Sequence, residues 1–381
     1  MNLFNVYPLY PIEPVKALGS HIWDKTGNQY LDLYGGHAVI SIGHQHPHYT
    51  QKIRKQLEKV AFYSNSIINP LQQELAAKLG QLSGYSDYSL FLCNSGAEAN
   101  ENALKLASFH TGRDTVITFK DGFHGRTSAA VAITDNPKII APINAHHKVV
   151  QCTLNDLTSV EKALMTGQVC AVIIEGIQGL AGVYEPDPEF MTALHDLCKR
   201  YGTLLIIDEV QSGYGRTGQF FAHQHYNIKA DIITTAKGMG NGFPIGGVLI
   251  HPDVKPWHGM LGTTFGGNHL ACAAGVAVLE VIEKEGLIRN ASYMETVIRN
   301  AFKPFDQILE IRGKGLLIGM EFRHPIAELR KDLVLNQKIF TGSAANKNTL
   351  RILPALSVSE EMVLEFKFAL NESLKASELS V

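Results

Sequence analysis

From about residue 70 to residue 250 the hydrophobic residues of this chain fall into short, nearly uninterrupted runs separated by amphipathic stretches. Runs without polar alternation predict strands buried on both faces. The candidate strands are SLFLCN, TVITFK, AAVAIT, KVVQC, VCAVIIEG, TLLIIDEV, ADIITTAK and GGVLI. Between them, LQQELAAKLGQL, NSGAEANENALKLASFH and PEFMTALHDLCKRYG read as helices. Strands and helices in alternation predict a mostly parallel central sheet covered by helices. Ligands of such sheets sit beyond the carboxyl ends of the strands.

The texture changes at both ends. The start is proline-rich to Pro14, and IWDKTGNQYLDLY then reads as two short strands around a Thr-Gly-Asn turn. Past the long helix GGNHLACAAGVAVLEVIEKEG, the segment ILEIRGKGLLIGMEF reads as a hairpin about Gly313, Lys314 and Gly315. MVLEFKFALNESLK reads as a terminal amphipathic helix. The expected division is an N-terminal segment, 1–45, packing with a smaller α+β domain, 275–381, and a large domain, 46–274.

Composition narrows the function. The chain has 381 residues, 45% hydrophobic and 18% charged, enough for a large core. Its net charge of -2 argues against a nucleic-acid partner, and no basic amphipathic tract suits a membrane surface. No apolar stretch approaches the roughly 20 residues of a membrane span. The five cysteines are odd in number and lack CxxC spacing, so neither a disulfide frame nor a zinc site is indicated. That usage, and an N-terminus without a basic-then-apolar leader pattern, fit a cytoplasmic protein.

Two candidate strands finish on ionisable residues, Asp208 in TLLIIDEV and Lys237 in ADIITTAK. An unpaired buried ammonium is costly, so Lys237 reads as a functional amine or as a lysine reaching the surface. A desolvated amine is a nucleophile able to condense with an aldehyde, and a carboxylate such as Asp208 can hold a protonated pyridine nitrogen. The pair suits pyridoxal phosphate, although Asp208 alone also fits a capping or ion-paired role. Val210 lies two residues on, where it can pack on the ring, and Gln211 can reach a ring hydroxyl.

Other motifs are weaker alone. Ser95, Gly96 and Ala97 lie between a strand and a helix, where free N–H groups can cradle a phosphate or simply form a capped turn. DGFHGRT can bring Phe123 against a planar ligand and Arg126 onto a carboxylate, or be a surface loop. Thr263 and Thr264 in GTTFGGN offer adjacent hydroxyls before a helix. Arg351 in TLRILP is a single cation on an apolar strand, which also fits an interdomain ion pair. The histidines of GHQHPH are too closely spaced for one tetrahedral metal centre, so they read as a loop or helix start and no metal is expected.

In order, IWDKTGNQYLDLYGG, GHQHPH, NSGAEAN, FHGRT, EGIQG, DEVQSGYGRTG, AKGMGNGFPIGG, TTFGGN and RILP resemble the class III, fold-type I pyridoxal-phosphate aminotransferases. YGGHAV, FHGRT and GKGLLIGME look most like the acetylornithine-specific members of arginine biosynthesis. The resemblance implies the fold-type I architecture and pyridoxal 5′-phosphate. It implies Lys237 as the cofactor-linked lysine, Asp208 at the ring nitrogen, Gln211 at the ring oxygen, and Phe123 and Val210 on the ring faces. It implies Ser95, Gly96 and Ala97 at the phosphate with Thr264 of a neighbouring subunit, so that a homodimer shares its sites. Arg126, with Thr263 nearby, would take the donor's α-carboxylate, and Arg351 that of glutamate or 2-oxoglutarate.

The family run Glu-Pro-Ile-Gln-Gly-Glu reads Glu175, Gly176, Ile177, Gln178, Gly179, Leu180 here. The missing second glutamate is the one that can neutralise the arginine at position 351 in relatives. The implied reaction moves the terminal amine of N2-acetyl-L-ornithine to 2-oxoglutarate. Alternatives are N-succinylornithine as donor, ornithine or another ω-amino acid, and an aminomutase of the glutamate-semialdehyde type.

Overall fold

The structure, a computed structural model, describes residues 1–378. Near the N-terminus, strands β1 (Pro14–Leu18), β2 (His21–Asp24) and β3 (Gln29–Asp32) form an antiparallel meander. The predicted turn is built on Asp24, whose carboxylate accepts from the backbone N–H groups of Thr26 and Asn28. Strand β1 begins where the proline-rich start ends, at Pro14, and covers residues for which the sequence suggested no element.

The central sheet has seven strands: β4 (Ser89–Cys93), β5 (Thr115–Phe119), β6 (Lys148–Cys152), β7 (Val169–Glu175), β8 (Leu204–Asp208), β9 (Ile232–Thr235) and β10 (Gly246–Ile250). Their order is β4-β10-β9-β8-β7-β5-β6. Only β10 runs against its neighbours, so the sheet is mostly parallel as predicted. A strand's two-residue period explains its double burial. Leu205 and Ile207 enter one core cluster, Leu204 and Ile206 the other. The second cluster also contains Ala99, Ala103 and Ala107 of the helix Gly96–Thr111, which covers that face.

One strand expectation is overturned. AAVAIT does not form a strand; Ser128–Ala132 is a short helix. Alanine favours helix, and the Glu101 carboxylate accepts from the Ala130 N–H and the Thr127 hydroxyl at its start. The sheet leaves no slot there either, because β5 pairs directly with β6 and β7.

A further sheet contains β11 (Ile308–Lys314), β12 (Leu317–Phe322), β14 (Gly342–Ser343) and β15 (Thr349–Ile352), in the order β11-β12-β15-β14. Strand β13 (Ile339–Phe340) pairs in parallel with β3, so the N-terminal meander is stitched to C-terminal chain. No helix among the described residues is long and apolar enough to cross a membrane.

Ile206 is fully buried at the centre of the main sheet. Replacing it by alanine leaves a cavity between the sheet and the helix Gly96–Thr111, a change that usually costs about 2–5 kcal/mol. Ile206→Ala should therefore melt well below the wild type in a thermal scan. An unchanged midpoint would show that the face repacks.

Candidate active site

The period that buries β7 and β8 also aims their last residues. Ala171 and Ile173, with Leu204 and Ile206, face the helix Gly96–Thr111, so Glu175 and Asp208 continue on that face. They are register partners at the carboxyl edge. Both are buried. Asp208 is held from three directions. Its Oδ2 accepts from Asn100 Nδ2 at 2.8 Å and pairs with His124 Nδ1 at 2.8 Å, and its Oδ1 accepts from the Val210 N–H at 2.9 Å. Asn100 is itself fixed by the Thr234 hydroxyl at 2.7 Å and donates to the His124 carbonyl at 2.7 Å.

Burial alone would push the His124 imidazole down, but the Asp208 hydrogen bond and charge, with the Glu175 charge, raise it above its ordinary range. Burial likewise raises the Glu175 carboxyl, against the pull of His124 and of N–H groups donated by Phe123 and Gly179, each at 3.0 Å.

Strand β4 ends where Ser95 caps the helix Gly96–Thr111, accepting from the Glu98 N–H at 3.2 Å. The first N–H groups of that helix lack intrahelical partners, and Ser95, Gly96 and Ala97 line the cavity, a setting for an anion. Gly96 is needed for close approach, since a Cβ there would meet Val210 Cγ1 at 2.5 Å. Phe123 and Arg126 come from the loop after β5; Arg126 is exposed and has no ion pair among the described residues.

Lys237 follows β9 with a left-handed φ of 40°, rare for a residue with a side chain. Desolvation lowers its pKa and Arg351 adds to that, against Asp208 and Glu175, which favour the ammonium. Its turn is clamped by the N-terminal segment. Asn241 accepts from the N–H groups of Ser41 and Ile42 and donates to the Gly43 carbonyl, and Ser41 Oγ donates to the Gly238 carbonyl at 2.7 Å.

Arg351, on β15, is 1% exposed. It donates to the carbonyls of Ser343 at 2.6 Å and Gly179 at 3.1 Å, and to Gln211 Oε1 at 3.3 Å. All these acceptors are neutral. Burial lowers its pKa, while Tyr34 and the nearby Glu175 charge support the cation.

One cavity of about 610 Å³ gathers these groups. Ser95, Gly96, Ala97, Phe123, Arg126, Asp208, Val210, Gln211, Lys237 and Arg351 all line it. Thr263 and Thr264 do not; Thr263 Oγ1 accepts from the Gly266 N–H within its own loop, and Thr264 is exposed. The sequence reading gave no role to Asn100, His124, Glu175 or His37, which also line the cavity. Asn100, His124 and Glu175 sit inside motifs singled out from the sequence, and His37 follows two glycines. Gln211, expected at a cofactor oxygen, has its Oε1 on Arg351 and donates through Nε2 to the His37 carbonyl at 3.2 Å.

The sequence matches the family Aminotransferase class-III over residues 5–374. It is 40% identical to an acetylornithine aminotransferase of Streptococcus mutans, over 95% of this chain and 96% of that protein. An acetylornithine/succinyldiaminopimelate aminotransferase of Photorhabdus laumondii is 37% identical over 94% of this chain and 92% of its own length. Among solved structures, an ornithine aminotransferase of Toxoplasma gondii, described with partial pyridoxal-phosphate occupancy, superposes with a TM-score of 0.90 and 28% identity. That match covers 99% of this chain and 93% of the other.

The raised His124 gives a pH signature. A group whose folded pKa exceeds its unfolded value, about 6.5 for histidine, contributes stability fully present below that value and lost as pH rises through the folded one. Breaking a buried ion pair costs about 3–5 kcal/mol. His124→Gln should thus melt below the wild type near about pH 6, and the gap should narrow toward alkaline pH. A gap independent of pH would contradict a charged His124.

Proposed function

Because the chain belongs to the class-III aminotransferases, we propose that it moves the terminal amine of N2-acetyl-L-ornithine to 2-oxoglutarate. The products are N-acetyl-L-glutamate 5-semialdehyde and L-glutamate. The observation that carries this reading is one cavity holding a desolvated Lys237 beside a buried, fully hydrogen-bonded Asp208.

The cofactor of this reading is pyridoxal 5′-phosphate, and the residues present fit it. The glycine at position 96 leaves the helix N-terminus open to a phosphate, and the buried Asp208 suits a protonated ring nitrogen. When bound, the cofactor supplies an aldehyde that carries the amino group and a ring that takes up electrons. Ser95, Gly96 and Ala97 would hold its phosphate, Phe123 and Val210 its ring faces, and Gln211 its ring oxygen. Asn100 and His124 keep Asp208 oriented. Thr264 would complete the phosphate site of a second copy of this chain. Its position on an exposed loop, beside Phe265 packed on Phe62 with both rings largely exposed, supports a homodimer that shares its sites.

In the first half-reaction Arg126, assisted by Thr263, holds the donor's α-carboxylate. The neutral Lys237 amine takes a proton from the donor's δ-carbon. In the second half Arg351 holds the α-carboxylate of 2-oxoglutarate, and Lys237 returns a proton to the α-carbon of the forming glutamate. The aldehyde oxygen of the released semialdehyde comes from water, which reaches the reacting carbon after the proton has moved; the cavity is open to solvent at His37 and Leu180.

A second donor, N-succinylornithine, is favoured by one observation. Position 180 is leucine, 36% exposed at the cavity, and Arg351 has only neutral hydrogen-bond acceptors. A donor bearing an extra carboxylate supplies the anion that a neutral acetyl group does not. A contact pair of charges is worth about 1–4 kcal/mol in this setting, so the preference can shift by tenfold or more.

Three experiments test these readings. Purified protein should be yellow, bleach with N-acetylornithine and recover with 2-oxoglutarate. Lys237→Ala should lose about 10²–10⁴-fold or more in turnover, and a variant retaining turnover sinks the scheme. Leu180→Glu should move the kcat/KM ratio toward acetylornithine and away from succinylornithine. An unchanged ratio removes the second donor.

A further inference from the structure

Resting on the transaminase reading above, we propose that His37 is a substrate-binding residue that shares a carboxylate of the 2-oxo acid with Arg351. Nothing in the reaction scheme so far uses this side chain, yet the chain takes an unusual path to present it.

Gly35, Gly36, His37 and Ala38 are four consecutive left-handed residues, with φ of 55°, 55°, 69° and 65°. Left-handed backbone is unfavourable for residues with a Cβ and normally occurs singly. Strain of this kind persists where surrounding contacts over-determine it, and it gathers at ligand sites. Here the contacts come from the cavity itself. The His37 carbonyl accepts from Gln211 Nε2, and its ring Nδ1 is hydrogen-bonded to the Tyr34 hydroxyl. The Arg351 charge also reaches the Tyr34 phenol, and Arg351 donates to Gln211 Oε1. Arg351, Gln211 and His37 line the cavity, and with Tyr34 behind His37 they form one polar cluster.

This cluster sets which nitrogen carries the hydrogen. The Arg351 charge turns the Tyr34 oxygen lone pairs toward the guanidinium, which directs the phenol hydrogen at His37 Nδ1. In the neutral imidazole the remaining hydrogen then sits on Nε2. The neutral form is favoured by partial burial and by the charges of Lys237, Arg351 and Arg330, which lower the pKa. Among the described residues, Tyr34 is the only hydrogen-bond partner of the His37 side chain. Nε2–H is thus an uncommitted donor on the wall that holds Arg351. A carboxylate oxygen is the acceptor that meets both donors at once.

The test uses holoenzyme and two ligands. Glutarate, an unreactive dicarboxylate, reports binding by calorimetry, and 2-oxoglutarate reports KM. Loss of one hydrogen bond to a charged group weakens binding by about 10-fold or more. His37→Ala should raise both the glutarate Kd and the 2-oxoglutarate KM by that factor, with a smaller fall in kcat, as expected for lost ground-state binding. His37→Gln keeps an N–H donor and should recover part of the loss. Tyr34→Phe frees the tautomer and should weaken glutarate in the same direction.

The proposal is overturned if His37→Ala binds glutarate like the wild type. It is also overturned if His37→Ala loses the cofactor absorbance band, which would make the residue structural. A wild type that never transaminates refutes the parent reading instead, and the glutarate measurement still reads His37.

Discussion

A carboxylate buried at the end of a strand is expensive unless it is hydrogen-bonded and paired with positive charge, and Asp208 is where this protein meets that requirement. Four segments converge to do so: Asn100 from the helix Gly96–Thr111, Thr234 from β9 behind it, His124 from the loop after β5, and the Val210 N–H from its own turn. Because each partner comes from a different α/β unit, the position of Asp208 is set by the whole sheet rather than by a local loop. The same convergence brings Ser95 and Gly96, at the start of that helix, and Phe123, in that loop, to one cavity. Satisfying one buried charge therefore assembles the floor of the site.

The opposite wall has the complementary problem, an excess of cations. Lys237 and Arg351 are desolvated, and Glu175 is the carboxylate whose charge reaches both. Lys237 responds by giving up its proton more readily, which suits an amine that must accept one. An arginine cannot respond usefully in that way, because its pKa starts too high. Arg351 is instead held by the Ser343 and Gly179 carbonyls and Gln211. Neutral acceptors satisfy its hydrogen bonds without cancelling its charge, leaving that role to a substrate carboxylate.

Much of this was legible in the sequence, for physical reasons. Doubly buried strands announce themselves as apolar runs, and a charge that ends such a run must be at an edge, which is why Asp208 and Lys237 stood out. Composition could not separate Asp208 from Glu209. Both are buried, but Glu209 faces away and holds His223 and the backbone of Ala222. Facing is a property of the turn after β8, not of the residue type. AAVAIT failed as a strand because a short apolar run fits helix and strand alike; the deciding contact, Glu101 at the helix start, is nearly thirty residues away in sequence. His124 and Asn100 lay within recognised motifs, but their common target only appears once the strands are paired.

The N-terminal segment was the least legible part, and it carries the consequence of greatest reach. Its strand β3 joins β13, its Ser41–Gly43 stretch is clamped by Asn241 beside the lysine, and between these points the left-handed Gly35–Ala38 turn enters the cavity. The floor of the site is thus made from strand ends of one sheet. The wall around Arg351 is made from segments more than 300 residues apart in sequence. A change at Leu180 or His37 touches only the wall and leaves the Asp208 network and the Lys237 turn intact. Under the proposed function, substrate choice can therefore vary independently of the amine chemistry, and the residues that set the donor are to be sought where the N-terminal segment, Leu180 and β15 meet.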